Sequence, residues 1–560
     1  MIDANQAPRR SDILARTFET SGWGSSRIWL GVLFALSTLT YLYHFPEFNP
    51  DKLAQIQLSQ SLLDGHGLTI PVPGSSARAE LSQWPPMYPL LFAGILAITD
   101  STWWSAFWIG CAAVLVYLVS WSRILAVLRT NGHLSPSGER WVWLYWIVSA
   151  APFSQITSSG AVALAFFSAS VALLFTAVAE GRDSVRGGVL AGGFACASAA
   201  TRYAYLPVVA ALPLALFVTM SVTKRRRWAM LLGYTVACGA ILALSLVSQG
   251  HGSYVGKTLS SAQSHLFPGH LIRFAAFPIE VFSFGSVSAR GWIFDDALAL
   301  IHGLGWGSRG STTLLLWIGS LPILGVIAAR SRLPRVFDAK REGLVSGSVC
   351  FELIFAFVAL ATCGMLAFLS LRHPSPHGWS EWGWTYVEEV RYFALLFPFI
   401  SIAFLSALGR GGDTRTHAQE RLRRIGIVLA IFLVVGAGWH RLSGVVRHLV
   451  AEEAPYSWHS LEAGVRTIEA LMRSTDPPPR VCVGADQWAE TIAALAGCAV
   501  GGGRPRFGIF IRSTYDARRV NISRYRPLGD QAFSRFPDES ELTLVRASER
   551  VRVYRMISPR

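Results

Sequence analysis

Charge is what this chain is short of. Asp, Glu, Lys and Arg make up 15% of its 560 residues, while 52% are hydrophobic; a soluble domain carries about 25% charged residues. The deficit falls on the acids, 35 against 50 Lys and Arg, which leaves a net charge of +15. These numbers exclude an ordinary soluble enzyme and point to a polytopic α-helical membrane protein. Net positive charge would suit nucleic acid, but no basic helix or aromatic-basic platform is present. Most basic residues before position 430 sit in short gaps between apolar runs. That is the positive-inside pattern, so the expected polyanionic partner is membrane lipid and no nucleic acid.

Other absences narrow the field further. Cysteine is scarce: Cys111, Cys196, Cys238, Cys350 and Cys363 fall in apolar runs, where Cys acts as a small hydrophobe, and Cys482 and Cys498 fall in the tail. None has zinc-ligand spacing. There is no internal repeat, no Walker motif and no Ser-His-Asp pattern, and Gly501-Gly502-Gly503 lacks the helix start of a dinucleotide loop. No cleavable leader is expected either. Residues 1–27 are polar, and the first apolar run, Ile28–Tyr43, is followed by no small-residue cleavage site.

What is present is a series of about eleven apolar spans, near 28–44, 103–122, 141–156, 160–179, 188–201, 204–221, 228–248, 311–329, 347–371, 391–408 and 425–441. The piece Tyr88–Ile98 is ambiguous. Reading it as a helix lying at the outer interface puts Arg123–Arg140, Arg182/Arg186, Lys224–Arg227, Arg330–Arg341 and Arg410–Arg424 all on the cytoplasmic side. The expected organisation is then a cytoplasmic segment 1–27, a transmembrane domain 28–441 with external loops 45–102, 249–310 and 372–390, and an extracytoplasmic region 442–560. Within that last region, from about 456, Arg480–Val483, Cys498–Val500, Leu542–Val545 and Val551–Tyr554 read as strands and Tyr456–Arg473 and Gln487–Ala496 as helices, a small α/β domain. Cys482 and Cys498 sit on neighbouring strand ends, either as a disulfide or as two buried thiols.

Polar residues gather between Phe48 and Pro89. Pro50 and Asp51 start a helix that runs to Leu63; Asp64-Gly65-His66-Gly67 ends it; Trp84-Pro85-Pro86-Met87-Tyr88-Pro89 opens the next. A carboxylate at a membrane boundary is desolvated on one side, which raises its basicity toward that of a general base. The plainer role for Asp51 is an N-cap. Elsewhere, Asp295-Asp296 reads as a helix cap, His373 and His377 as a rigid turn, and Trp379, Trp382 and Trp384 as an interfacial belt. His66 is either a turn residue or a donor-pocket residue.

The order of Asp51, the helix ending Leu63-Asp64-Gly65, the Pro85-Pro86 element, Thr201-Arg202-Tyr203 and Glu388-Glu389-Val390-Arg391-Tyr392 ahead of Pro398 resembles the GT-C superfamily of membrane glycosyltransferases. The likeness is to the protein O-mannosyltransferase and aminoarabinose lipid A transferase group. The resemblance implies a polyprenyl-phosphate-linked sugar donor and an extracytoplasmic acceptor (glycan, lipid or protein). It implies Asp51 as the catalytic base, and Arg202 and Arg391 as ligands of the donor phosphate. Glu47, Lys52, His66, Trp84, Tyr203, Glu388 and Tyr392 would line the donor and acceptor pockets. Lys52 stands where relatives often carry Glu, Gln55 near where they often carry Tyr, and Ser158-Ser159-Gly160 where many carry an acid. A paired-carboxylate metal site is therefore not supported, no cofactor is expected, and Glu47 is the candidate second acid. A bacterial inner membrane, with N-terminus inside and C-terminal region outside, is the expected location. A transporter or flippase of a lipid-linked substrate and a non-catalytic member of the same fold stay open as alternatives. The first should show inverted repeats and broken mid-membrane helices, and the sequence shows neither.

Overall fold

A computed structural model describes residues 23–44, 50–71, 78–80, 85–149, 153, 159–218, 225–248, 347–372 and 394–409, strands at 481–484, 499–500, 509–513, 542–547 and 551–556, and a few isolated positions besides. Eleven α-helices stand among these residues. They are α1 Trp23–His44, α2 Pro50–Leu63, α3 Met87–Thr99, α4 Thr102–Thr130, α5 Pro136–Ser149, α6 Ser159–Ala179, α7 Val185–Thr201, α8 Leu206–Val218, α9 Arg225–Ser248, α10 Gly347–Arg372 and α11 Phe397–Gly409. The expected spans 311–329 and 425–441, the loops 249–310 and 373–390, and the two tail helices lie outside the described residues except for isolated positions.

Local chemistry sets the helix ends. Ser101 caps α4, accepting from Trp104 N at 3.5 Å; Ser135 precedes Pro136 and accepts from Gly138 N at 3.1 Å; Ser184 caps α7, accepting from Gly187 N at 3.1 Å. Serine oxygens here satisfy N–H groups that the first turn leaves without partners, and proline suits the first helical position. The α6–α7 turn is closed by Gly181 at φ 66°, with Arg182 N donating to Ala177 O at 2.8 Å. That is a left-handed cap that only glycine adopts freely.

Contacts between helices give their relative directions. Along α7 and α9, Gly188 meets Met230 and Gly192 meets Tyr234, and the Cys196 and Cys238 thiols hydrogen-bond one turn further on. Both helices advance together, so they run parallel. Helix α8 between them runs back: Tyr234 OH donates to Val209 O at 2.8 Å, and Trp228 packs on Phe217 with ring centroids 5.6 Å apart. In the same way α6 and α7 are antiparallel (Phe166 on Phe194; Ser198 Oγ to Ala163 O, 2.7 Å). So are α4 and α5 (Trp121 on Trp146; Arg129 to Glu139, 3.1 Å), and α5 and α11 (Trp146 Nε1 to Ser401 Oγ, 2.8 Å; Gly138 against Ser406). The chain thus passes up and down through α4–α9 without skipping a turn. Some inward polar groups pair across helices, as Trp121 Nε1 does with Ser168 Oγ at 2.9 Å.

This register gathers charge at one end of the bundle. Arg123 pairs with Glu180, Arg182 also reaches Glu180 at 3.3 Å, Arg129 pairs with Glu139, and Arg227 pairs with Asp183 at 3.1 Å. The sides of the bundle are apolar: Trp104, Trp108, Leu115 and Val119 form an exposed stripe on α4, and Leu232, Val236 and Leu360 are exposed on α9 and α10. Water disfavours such a surface and hydrocarbon accepts it. Two described helices, Trp104–Thr130 and Ser159–Ala179, are long and apolar enough to cross a membrane.

Boundaries differ from the sequence expectation in three places. Helix α4 continues past 122 to Thr130 because Arg123 and Arg129 find acidic partners and so do not end it. Helix α5 starts at Pro136, ahead of 141. The span expected from 391 becomes helical at Phe397 after a turn over 394–396, with Pro398 in its first turn. A short antiparallel pair, β1 Thr69–Pro71 with β2 Arg78–Glu80, adds strands to the first loop that the sequence reading did not contain. In the tail, strands β3 Val481–Gly484, β4 Ala499–Val500, β5 Ile509–Ser513, β6 Leu542–Ala547 and β7 Val551–Met556 form a mixed sheet of order β4-β3-β5-β7-β6. The parallel β3–β4 pair matches the expected βαβ-like unit, and β5 was not anticipated. Cys498 lies outside the described residues, so the disulfide question does too.

Candidate functional site

The end of the bundle away from the ion pairs holds the junction of α7 and α8. Arg202 leaves the helix in extended conformation (φ −146°, ψ 115°), its N–H still bonded to Ser198 O at 3.0 Å. A single 3-10 turn, Tyr203–Tyr205, then starts α8. Arg202 is half-buried where the short α7 and α8, 17 and 13 residues, meet. A guanidinium partly withdrawn from water would hold a phosphate oxygen more strongly than an exposed one.

Two tyrosines face this junction. Tyr117 and Tyr205 are 0% and 2% exposed, and neither hydroxyl has a hydrogen-bond partner among the described residues. Tyr205 packs edge-on against Phe167, centroids 6.0 Å apart, and Tyr117 against Phe153 at 5.2 Å. The two phenols are within electrostatic range of each other, and Tyr205 is within range of Arg202. Tyr203 follows Arg202 and is half-buried.

The first loop reaches the same region through α3, which packs on α4 and α7 while α2 packs on α3. Pro85 and Pro86 open α3 as expected, placing Tyr88 and Phe92 in the core with their rings 5.9 Å apart. Helix α2 begins at Pro50, so Asp51 falls inside the first turn and not at the N-cap position the sequence suggested. A carboxylate in that turn is favoured by the helix dipole. Position 51 shares a stripe with Gln55, Leu58 and Ser59, all buried. The Gln55 Oε1 has no hydrogen-bond partner. His66 is exposed in the helix-ending turn, where Gly65 (φ 76°) and Gly67 (φ 68°) flank it and its N–H donates to Ser61 O at 2.9 Å.

Asp51 and Lys52 are described by their backbone alone; Glu47, Trp84, Glu388, Arg391 and Tyr392 lie outside the described residues. Of the residues the sequence singled out, side chains are described for His66, Arg202 and Tyr203, the last two being chain neighbours. The structure adds Tyr205, within electrostatic range of Arg202, and Tyr117, within range of Tyr205. Tyr205 stands two residues beyond the quoted Thr201-Arg202-Tyr203 motif. Tyr117 carries no local signal, since a tyrosine within an apolar run reads as core.

No protein-family model matches the chain, and no curated protein matches it by sequence. Solved structures do. ArnT from Cupriavidus metallidurans bound to undecaprenyl phosphate superposes with a TM-score of 0.51 at 10% identity, over 96% of this chain and 99% of that one. The apo ArnT structure gives 0.50 at 10% identity, over 95% and 99%. Arabinosyltransferase EmbB from Mycobacterium smegmatis aligns over 41% of its length with a TM-score of 0.33, too loose to argue from. The likeness runs nearly end to end on both ArnT chains, so this chain shares the fold of those two structures.

Proposed function

We propose that this chain is an inverting membrane glycosyltransferase that moves a sugar from a polyprenyl-phosphate donor to an extracytoplasmic glycan, lipid or protein. The observation that carries this reading is the half-buried Arg202 at the α7–α8 junction, in a chain that superposes on ArnT solved with undecaprenyl phosphate. In this reading the charged end of the bundle faces the cytoplasm of a bacterial cell, and the Arg202 end faces outward.

Asp51 accepts the proton of the acceptor hydroxyl or amine. The acceptor atom bonds to the anomeric carbon as the bond from that carbon to the phosphate oxygen breaks, and the polyprenyl phosphate leaves with the electron pair. Arg202, with Arg391, stabilises the negative charge that gathers on the departing phosphate. A lipid phosphate is already a good leaving group, so orientation, one base and cationic contacts suffice. A position on the buried stripe of α2, early in the helix, suits a base that works beside a membrane.

The test is transfer by the purified protein with a panel of polyprenyl-phosphate pentoses and hexoses. Asp51→Asn should lower turnover by about 10²–10⁴-fold, the range a positioned general base contributes. Arg202→Ala should lower it comparably, with Arg202→Lys restoring part. Full transfer by Asp51→Asn removes Asp51 as the base; no transfer by wild type with any donor removes the function.

A further inference from the structure

Tyr117 and Tyr205 present a physical problem that the fold does not solve. A phenol shut away from water without a hydrogen bond is destabilising. Each could be phenylalanine with no loss of packing, since the ring contacts to Phe153, Trp121 and Phe167 involve the aromatic face and edge and not the hydroxyl. Several other buried polar groups, Trp121, Trp146, Ser198 and Tyr234, do have partners, while Gln55 Oε1, Thr38 Oγ1 and Ser170 Oγ share the lack of one among the described residues. What sets the two phenols apart is that they lie within electrostatic range of each other, and Tyr205 within range of Arg202.

Their proximity follows from the helix register. Trp121, one turn from Tyr117 on α4, bonds Ser168 on α6. Phe167, next to Ser168, touches Tyr205. Tyr117 and Tyr205 are within electrostatic range of each other. The chain at residues 202–205 leaves the α-helix in extended and 3-10 backbone. A shift of that turn would open the hydroxyls to whatever Arg202 holds.

We infer that Tyr117 and Tyr205 are sugar-reading residues, whose hydroxyls pair with ring hydroxyls of the donor while Arg202 holds its phosphate. A phenol both donates and accepts, which matches a sugar hydroxyl; a phosphate needs only donors and has the guanidinium. The unpaired state is the resting state, and the sugar supplies the missing partners. This inference rests on the glycosyltransferase reading and adds the residues that select the sugar.

The experiment uses full-length protein in detergent or nanodiscs: wild type, Tyr117→Phe, Tyr205→Phe and the double variant. Thermal unfolding without ligand should leave the Phe variants at or above the wild-type midpoint, because an unpaired hydroxyl has been removed. Transfer from the donor that wild type uses should fall at least about tenfold in kcat/KM for each single variant, a loss in line with unpairing one substrate hydroxyl. The thermal shift produced by polyprenyl phosphate alone should be unchanged, while that produced by the polyprenyl-phosphate sugar should shrink. Normal transfer by the double variant overturns the inference and leaves the transferase reading standing, as does a marked drop in midpoint without ligand, which would make the hydroxyls structural. An equal loss of both thermal shifts overturns the assignment to sugar. Absence of transfer by wild type overturns the transferase reading and the inference together.

Discussion

Substituting three neighbouring glycines of α7 tests the parallel α7–α9 contact on which the rest of the register depends. A Cβ added at Gly188 would lie 1.9 Å from the Met230 carbonyl oxygen, one at Gly192 would lie 2.4 Å from the Tyr234 carbonyl oxygen, and one at Gly193 would meet nothing within 4 Å. The obstacles at 188 and 192 are backbone, so no side chain can swing aside. Ordinary contact begins at 3.4 Å, and Gly188→Ala must part the helices by about 1.5 Å. With on the order of 40 close atom pairs, each worth about 0.1–0.2 kcal/mol and each losing about half its well, the separation costs about 2–4 kcal/mol. Alanine returns about 1 kcal/mol of helix propensity at any of the three sites. Gly188→Ala should therefore lose about 1–3 kcal/mol, Gly192→Ala somewhat less, and Gly193→Ala should match or exceed wild type. Thermal unfolding in detergent, followed by size-exclusion of the surviving fraction, gives the order. A Gly188→Ala protein as stable as Gly193→Ala would refute the close parallel contact, and with it the alternation of α7, α8 and α9.

Three further outcomes follow from the same structure. Arg227 and Asp183 pair with side chains 4% and 9% exposed; Arg227→Met should destabilise by about 3–5 kcal/mol by stranding the carboxylate, and adding Asp183→Leu should recover most of it, read from midpoints of the three proteins. Ser401→Ala removes the only hydrogen bond found for the buried Trp146 indole among the described residues, and should lower the midpoint with a loss of about 1–3 kcal/mol while Ser122→Ala, exposed and bonded only to its own helix, changes little. In a cysteine-free background, Asp100→Cys should react with a membrane-impermeant maleimide on intact cells and Arg182→Cys should not; both positions are exposed, and the opposite labelling would invert the orientation.

Much of the fold was legible because a membrane helix is written in a single local property. Apolar runs gave the positions of α4, α6 and α9 to within a few residues at most ends, and the Pro85-Pro86 element marked the start of α3. Where the reading slipped, partners elsewhere in the chain decided the matter. Arg123 and Arg129 look like the end of a span, yet Glu180 and Glu139 let the helix run on. Span 188–201 is short for a membrane crossing; its small residues Gly188 and Gly192 are what let α7 lie directly on the backbone of α9. Strand β5 went unseen because Ile509-Phe510-Ile511 is a short run that becomes a strand only between β3 and β7.

The site divides in the same way. Asp51, Arg202 and Tyr203 stood out because they fall at the ends of apolar segments, in a motif order that resembles a known family. Tyr117 could not stand out, since its meaning depends on a residue 88 positions away. The sequence by itself determined that the chain is a bundle of apolar helices, which loops carry the positive charge, and where its few polar junctions fall. These follow from transfer free energy and helix geometry, which act residue by residue. Only the tertiary structure decided that α7 and α9 run parallel in backbone contact, that Arg202 is half-buried, and that the phenols of Tyr117 and Tyr205, from distant parts of the chain, lie within electrostatic range of each other. Depth and proximity are set by inter-helix register, which is the sum of packing along whole helices and is carried by no single stretch of chain.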